Sequence, residues 1–268
     1  MKRLNLKVKA NIELTPGFYR MELASSYLAK HSKPGQFFEI KCPDASAALL
    51  RRPFSCHRIL EDGVSILYEV AGKGTDAMSG VRPGDSLDVM GPLGTGFKLD
   101  RAAHGSRSAI LVAGGIGVAP MLALAESLAY SVQRIADRKK IRVFIGACKK
   151  EHLLCEEDFK RLGCEVKVAT EDGSKGEKGL VTGPLEEALR TINDRGRTTI
   201  YACGPVGMLK AVAGIAEKYG IRCQVSMEER MACGIGVCLG CPVRVKAPQK
   251  YKMVCKDGPV FDAEEISW

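Results

Sequence analysis

Four of the eleven cysteines stand together near the carboxyl end, as Cys233-x4-Cys238-x2-Cys241-x13-Cys255. The first two spacings are those of a loop that ligates a 2Fe–2S cluster. Each iron of such a cluster is tetrahedral, shared between two bridging sulfides and two cysteines, so four thiolates are required. Gly234, Gly236 and Gly240 lie between the ligands. Small residues let the backbone wrap the cluster and aim N–H groups at its sulfurs, which tunes its potential. A four-cysteine zinc site, which prefers paired Cys-x2-Cys knuckles, and unrelated buried cysteines are the alternatives. Cys42, Cys56, Cys148, Cys155, Cys164, Cys203 and Cys223 are scattered, and an odd total argues against a disulfide framework.

A second group is Gly114-Gly115-Ile116-Gly117-Val118-Ala119-Pro120, placed between an apolar run and a helical one. Glycines there permit a tight turn and close approach to a ligand, and the following helix start favours a pyrophosphate. The spacing is not Gly-x-Gly-x-x-Gly, so a structural strand-to-helix turn is the competing reading. In Arg52-Pro53-Phe54-Ser55, an arginine and a hydroxyl three residues apart on a strand could hold a phosphate and a ring edge. Gly72-Lys73-Gly74-Thr75 and Gly91-Pro92-Leu93-Gly94 read as turns. Cys203-Gly204-Pro205 closes an apolar strand, and a cysteine at the carboxyl edge of a parallel sheet is placed for chemistry, although a buried structural cysteine is commoner. The four histidines share no metal-ligand spacing. With no Gly-x-Ser-x-Gly elbow and no Walker loop, hydrolase and nucleotidase readings lose support.

The elements that must position these groups fall into three parts within 268 residues. The first hundred residues read as β. Leu4, Leu6, Val8, Ala10, Ile12 and Leu14 alternate with polar residues, and short strands are expected over Gln36–Lys41, Val64–Val70 and Ser86–Met90. Turns at Pro34-Gly35, Asp62-Gly63 and Pro83-Gly84-Asp85 punctuate them, which predicts a small antiparallel β-barrel. From about Arg107, buried strands at Ala109–Ala113, Ile141–Gly146, Cys164–Ala169 and Thr198–Cys203 alternate with helices at Met121–Ala129, Leu153–Leu162, Pro184–Ile192 and Val206–Tyr219. That alternation predicts a parallel α/β domain. The remainder is rich in Cys and Gly, with β-like pieces at Pro242–Lys246 and Tyr251–Val254. The expected division is 1–103, 104–222 and 223–268.

Composition narrows the class. At 46% hydrophobic and 26% charged, the chain can bury a core, which excludes disorder and low-complexity scaffolds. The net charge of +9 is diluted over the first 222 residues, and no basic stripe with interleaved aromatics appears, so nucleic-acid binding is not expected. The uncharged run Ser108–Ala125 carries Gly114, Gly115, Gly117 and Pro120, which reads as strand, glycine loop and helix and not as a membrane span. Met1–Glu13 alternates apolar and polar residues where a signal segment would be apolar, and the expected location is the cytoplasm.

The order of these signals is more specific than any one of them. Arg-x-x-Ser in a β part, then Gly-Gly-x-Gly-Val-Ala-Pro after a strand, then Cys-Gly-Pro after a later strand, resembles the ferredoxin–NADP reductase superfamily. Its members pair an FAD-binding antiparallel barrel with a nicotinamide-binding α/β domain. The segments Met231-Ala-Cys-Gly-Ile-Gly-Val-Cys-Leu-Gly-Cys241 and Val254-Cys-Lys-Asp-Gly-Pro-Val-Phe-Asp262 resemble the electron-transfer subunits of dihydroorotate dehydrogenase B, and the likeness covers essentially the whole chain.

The resemblance implies that Arg52, Pro53, Phe54 and Ser55 line FAD, with Arg52 toward the pyrophosphate and Ser55 near the flavin N5 edge. Leu67, Tyr68 and Glu69 would form a second contact, and Gly74 and Thr75 a third. Gly114, Gly115, Gly117, Val118 and Pro120 would flank the nicotinamide nucleotide, and Cys203 would lie near the site of hydride exchange. Cys233, Cys238, Cys241 and Cys255 would bind the 2Fe–2S cluster. Phe54 departs from the tyrosine that many superfamily members place there, and Cys56-His57 has no reading from the sequence. The implied partner is an FMN-containing dihydroorotate dehydrogenase catalytic subunit, in a heterotetramer with two of each. The implied acceptor is NAD; Cys148-Lys149-Lys150 could meet a 2′-phosphate, whereas Glu171 and Asp172 would favour a ribose hydroxyl. A reductase subunit serving a hydrogenase or a ferredoxin:NADP transhydrogenase would use the same three parts, and a non-catalytic zinc- or cluster-binding interaction protein is the reading from another class.

Overall fold

A computed structural model of the chain describes residues 1–43, 49–99, 108–131, 141–192, 195–246, 248 and 250–268. The boundary expected near 103 lies outside the described residues.

Six strands, β1 (Lys2–Thr15), β2 (Phe18–Ala24), β3 (Phe37–Ile40), β4 (Arg52–Leu60), β5 (Gly63–Glu69) and β6 (Ser86–Leu93), close into an antiparallel barrel in the order β1-β2-β5-β4-β3-β6. Its interior is packed by alternate residues of each strand, among them Leu6, Val8, Met21, Leu23, Phe38, Ile40, Val64 and Ile66. The alternation read in β1 reaches the core only in its first half. Ile12 and Leu14 are 44% and 42% exposed, because β1 pairs with β6 over Lys2–Lys7 and beyond that runs on with β2 as a two-stranded ribbon. Two short helices, α1 (Ser26–His31) and α2 (Lys73–Ser79), decorate the barrel. The segment read as a turn at Gly72–Thr75 is the start of α2, where the Thr75 hydroxyl accepts N–H groups from Ala71 at 2.9 Å and Gly72 at 3.2 Å.

The second sheet has seven strands: β7 (Ser108–Gly114), β8 (Ile141–Ala147), β9 (Glu165–Thr170), β10 (Glu177–Lys178), β11 (Thr198–Cys203), β12 (Arg222–Ser226) and, from the far end of the chain, β15 (Val260–Asp262). Their order is β10-β9-β8-β7-β11-β12-β15, parallel except for β15. The central strand β7 is buried on both faces. Ile110 and Val112 enter one core, Leu111 and Ala113 the other, which is why its sequence is a continuous apolar run and not an alternation. Helix α3 (Val118–Ser131) follows it, and the helices Glu156–Arg161, Thr182–Arg190 and Val206–Tyr219 complete the layers. Pro184 sits in the first turn of its helix, where its missing N–H does no harm.

The cysteine-rich end is fastened to this sheet. β13 (Pro242–Arg244) and β14 (Tyr251–Met253) form a hairpin. Beyond it β15 pairs antiparallel with β12 through Gln224↔Asp262, Val225↔Phe261 and Ser226↔Val260. Val243, Val254, Cys241, Cys255 and Phe261 share one core with Phe37 of the barrel and Ile200 and Val225 of the sheet. Among the described residues no helix is long and apolar enough to cross a membrane.

Candidate redox site

The strand order reverses between β7 and β11, and in open α/β sheets ligands bind outside the carboxyl ends of the strands at such a point. Here the two ends touch. Ala113 pairs with Cys203, and a Cβ added to Gly117 would fall 2.3 Å from the Cys203 carbonyl oxygen. Only glycine lets the turn after β7 approach the turn after β11 this closely. Above them opens a cavity of about 1030 Å³ whose other wall is the barrel.

Most of the residues singled out in the sequence meet around this cavity. Arg52, Pro53, Phe54 and Ser55 enter it from β4, Leu67, Tyr68 and Glu69 from the end of β5, and Thr75 from α2. Gly114, Gly115, Gly117 and Pro120 form the floor, with Cys203 beside them. Gly74 and Val118 are buried behind this wall, one inside α2 and the other at the head of α3.

The side chains are held for distinct tasks. The Tyr68 hydroxyl donates to Asn11 Oδ1 at 3.0 Å, Asn11 in turn donates to the carbonyls of Met78 and Val81, and Tyr19 stacks on the Tyr68 ring at 5.5 Å. Phe54 meets Tyr68 edge-on at 5.8 Å. This aromatic corner offers an apolar face for a ring. Arg52 Nη1 donates to the carbonyls of Leu50 and Arg51 at 2.9 and 3.3 Å, and no carboxylate among the described residues pairs with it, so its charge is available to a phosphate. A flavin nucleotide, with an apolar ring and an anionic pyrophosphate, fits this donor set.

Around Cys203 the site is protic but uncharged at sulfur. Burial pushes the thiol up to about 12, with the Ser226 hydroxyl lowering it and the Glu228 charge adding to the rise. Cys203 and Ser226 face each other in register across β11 and β12. A neutral thiol suits the positioning of a ring for hydride exchange and does not suit nucleophilic catalysis.

The last residue of β12 and the stretch beyond it, Ser226–Met231, also line the cavity, as do Phe37, Leu50 and Pro259. These were not legible in advance. The signal for Ser226 was available: residues past the carboxyl ends of neighbouring parallel strands must meet, but β12 itself carried no mark in the sequence.

The four clustered cysteines lie outside the cavity and next to it, since Met231 and Pro259 line it while Cys233 and Cys255 follow and precede them closely. Cys233 Sγ accepts N–H groups from Ile235 at 3.5 Å and Cys238 at 3.4 Å, and Cys241 Sγ accepts from Cys255 at 3.5 Å. Burial opposes ionisation of Cys233, but the N–H groups of Cys238, Ile235 and Val237 outweigh it and pull the thiol down to about 6. Gly234, Gly236 and Leu239 adopt positive φ, which wraps the loop around the sulfurs. Among the described residues no three ligating side chains already converge on one point, but four thiols, with backbone N–H groups aimed at the sulfurs of Cys233 and Cys241, are in donor type the set that a 2Fe–2S cluster takes.

The barrel, the doubly wound sheet and their shared cleft define a reductase of the ferredoxin–NADP reductase fold. Solved structures agree. The NADH-dependent reduced ferredoxin–NADP oxidoreductase superposes with a TM-score of 0.84 at 27% identity, over 100% of this chain and 91% of that one. A ferredoxin–NADP reductase from Neisseria gonorrhoeae with bound FAD and NADP gives 0.66 at 18% identity, over 82% of this chain and 92% of that one, which shows the shared fold. Residues 111–214 match the oxidoreductase NAD-binding domain, and residues 228–267 match the iron–sulfur cluster binding domain of dihydroorotate dehydrogenase B. The electron transfer subunit of dihydroorotate dehydrogenase B (NAD(+)) from Caldanaerobacter subterraneus subsp. tengcongensis is 39% identical over 98% of both chains, and that of Bacillus caldolyticus is 40% identical over 92% of both. The chain belongs to the family of dihydroorotate dehydrogenase B electron transfer subunits.

Proposed function

We propose that this chain passes electrons from an FMN-containing, dihydroorotate-oxidising partner subunit through its 2Fe–2S cluster and FAD to NAD+, in the cytoplasmic synthesis of pyrimidines. The observation that carries this reading is the adjacency of three sites in one body: an aromatic and arginine-lined flavin wall, a glycine floor for a dinucleotide, and a four-thiol loop at the rim. Nicotinamide takes two electrons as hydride and a cluster passes one at a time, so a flavin between them supplies the exchange.

The chain's own residues bind and orient. Arg52 neutralises a pyrophosphate, Ser55 offers its hydroxyl at the flavin edge, Leu67, Tyr68 and Glu69 wall the ring, and Gly74 and Thr75 shape the α2 corner. Gly114, Gly115, Gly117, Val118 and Pro120 shape the dinucleotide turn, and Cys203 packs where hydride exchange occurs. Cys233, Cys238, Cys241 and Cys255 ligate the cluster. The three working parts are residues 1–103, 104–222 and 223–268, although β15 returns to the nucleotide sheet and makes the third part rest on the second.

The cluster loop supplies a docking surface. Ile235, Val237 and Leu239 are 38%, 75% and 66% exposed, and an apolar patch of that kind beside a redox centre suits a protein partner. A heterotetramer with two catalytic subunits is the assembly proposed.

The test is anaerobic addition of dihydroorotate and NAD+ to the complex purified from its own cells through a tag on this chain. NADH formation is expected. No NADH from a preparation with intact flavin, cluster and partner subunit would discard dihydroorotate as donor.

A further inference from the structure

Glu39, on β3, is fully buried, and neither carboxylate oxygen has a hydrogen-bond partner among the described residues. Burying such a group without a partner is costly, so a purely structural position would be better filled by methionine or leucine. Its surroundings are specific. A Cβ added to Gly234 would fall 2.6 Å from Glu39 Cγ and 2.9 Å from Oε1, so the side chain lies against the backbone between Cys233 and Cys238. Phe37, two residues earlier on the same face of the strand, lines the flavin cavity. Arg51 reaches the Glu39 backbone carbonyl at 3.4 Å. Burial pushes the carboxyl up to about 7, against the charges of Arg51 and Arg52 and with that of Cys233. An ionisable group thus stands between the cavity and the thiol loop, and the hydride chemistry makes no use of it.

We propose that Glu39 sets the potential of the cluster: its carboxylate, fully buried and packed on Gly234, disfavours the electron that the cluster accepts and so biases electrons toward the flavin. The inference rests on the reading that the four cysteines hold a 2Fe–2S cluster. One-electron reduction adds one negative charge to the cluster, and a fixed negative charge in a poorly screened interior opposes it. The group nearer the carboxylate feels this more, so the cluster shifts relative to the flavin. Glu39 is a positioning and tuning residue, not a catalytic one.

The experiment is a dye-mediated redox titration of the loaded complex at one alkaline pH. The reduced cluster is read by electron paramagnetic resonance and the flavin by absorbance. Glu39→Gln and Glu39→Met are expected to load both cofactors and, at a fixed poise, to raise the reduced-to-oxidised ratio of the cluster about tenfold, which is about 59 mV for a one-electron couple. The flavin should move less, and Glu39→Asp, which keeps the charge, should stay near the wild type. An unchanged ratio overturns the proposal, as does a flavin shift equal to that of the cluster. A shift in Glu39→Asp as large as in Glu39→Gln would assign the effect to packing and overturn it too. Neutral variants that fold with FAD and hold no cluster would show that Glu39 holds the loop, which also overturns it. A wild type with no 2Fe–2S resonance would instead remove the cluster reading itself.

Discussion

His57 Nδ1–H donates to the carbonyl oxygen of Ala119 at 3.1 Å, joining barrel strand β4 to the helix that follows the glycine turn. A register shift in β4 between Cys56 and Arg58 makes this possible. Cys56 packs inside the barrel, while Arg58 reaches Glu126 on α3 at 2.6 Å. His57, opaque in the sequence, is therefore with Arg58 the seam that fixes the barrel wall of the cavity against its glycine floor, while Cys56 anchors the strand inside the barrel.

Burial lowers His57 from 6.5 to about 4, with the Ala119 carbonyl opposing and Arg58 adding to the fall. The folded chain holds this imidazole neutral where the unfolded chain protonates it. Stability is thus lost as pH falls from about 6.5 toward 4, by up to about 3 kcal/mol. Glu39 acts in the opposite sense, since its carboxyl is raised from 4.5 to about 7 and stability is lost as pH rises through that window. Glu39 is present in both the wild type and His57→Gln, so their difference isolates the histidine. Urea unfolding at neutral pH and near pH 5 should show a smaller acid loss in His57→Gln; equal losses would exclude the assignment.

Gly117→Ala should act on hydride exchange and spare the flavin. Its Cβ would stand 2.3 Å from the Cys203 oxygen and 2.7 Å from the Gly204 nitrogen, both backbone atoms that cannot rotate away. One turn must move, and a displacement near 1 Å at reacting groups costs about 100-fold. Stopped-flow reduction of bound FAD by NADH should slow by that order with FAD content unchanged. A rate within threefold of the wild type would mean that the two turns do not jointly position the nicotinamide.

How much of this was legible follows from what each element has to bury. β7, β8 and β11 are covered on both faces and so write continuous apolar runs, which place the sheet and its switch point. β12 and β15 are short and lie toward the edge of the sheet. Their sequences, Arg-Cys-Gln-Val-Ser and Val-Phe-Asp, mark no period, and so the wall formed by Ser226–Met231 was missed. The cysteine spacing, glycine turn and Arg-x-x-Ser segment were readable because chemistry fixes residue type and interval together. Glu39 was not, because its role depends on Gly234, a partner 195 positions away.

Acceptor choice should depend on Glu171. Cys148 donates to Glu171 Oε1 at 3.7 Å, joining the ends of β8 and β9, and the Asp172 N–H reaches the Cys148 carbonyl at 3.2 Å. On the proposed placement, with nicotinamide at Cys203 and pyrophosphate at Gly114–Gly117, a dinucleotide would run along this carboxyl edge. Carboxylates there accept from a ribose hydroxyl and repel a 2′-phosphate. Glu171→Gln should raise kcat/KM for NADPH about tenfold, about 1.4 kcal/mol at the transition state, and lower that for NADH severalfold. Unchanged kcat/KM values for both nucleotides would move the selecting group elsewhere.

Cys238→Ser separates the two halves of the electron path. Cys238 is exposed on the loop, and its N–H donates to Cys233 Sγ. A serine oxygen there is a poor match for a cluster bound by soft thiolates, so the visible and paramagnetic signals of the cluster should be lost or altered. The flavin wall and dinucleotide floor take no atoms from this residue, so NADH should still reduce bound FAD at close to the wild-type rate. Turnover coupled to the partner subunit should fall by about 100-fold or more, since changes to the partners of a metal ligand alone cost about 10–100-fold and this change is at a proposed ligand itself. Full coupled turnover in this variant would place the cluster off the path between partner and flavin.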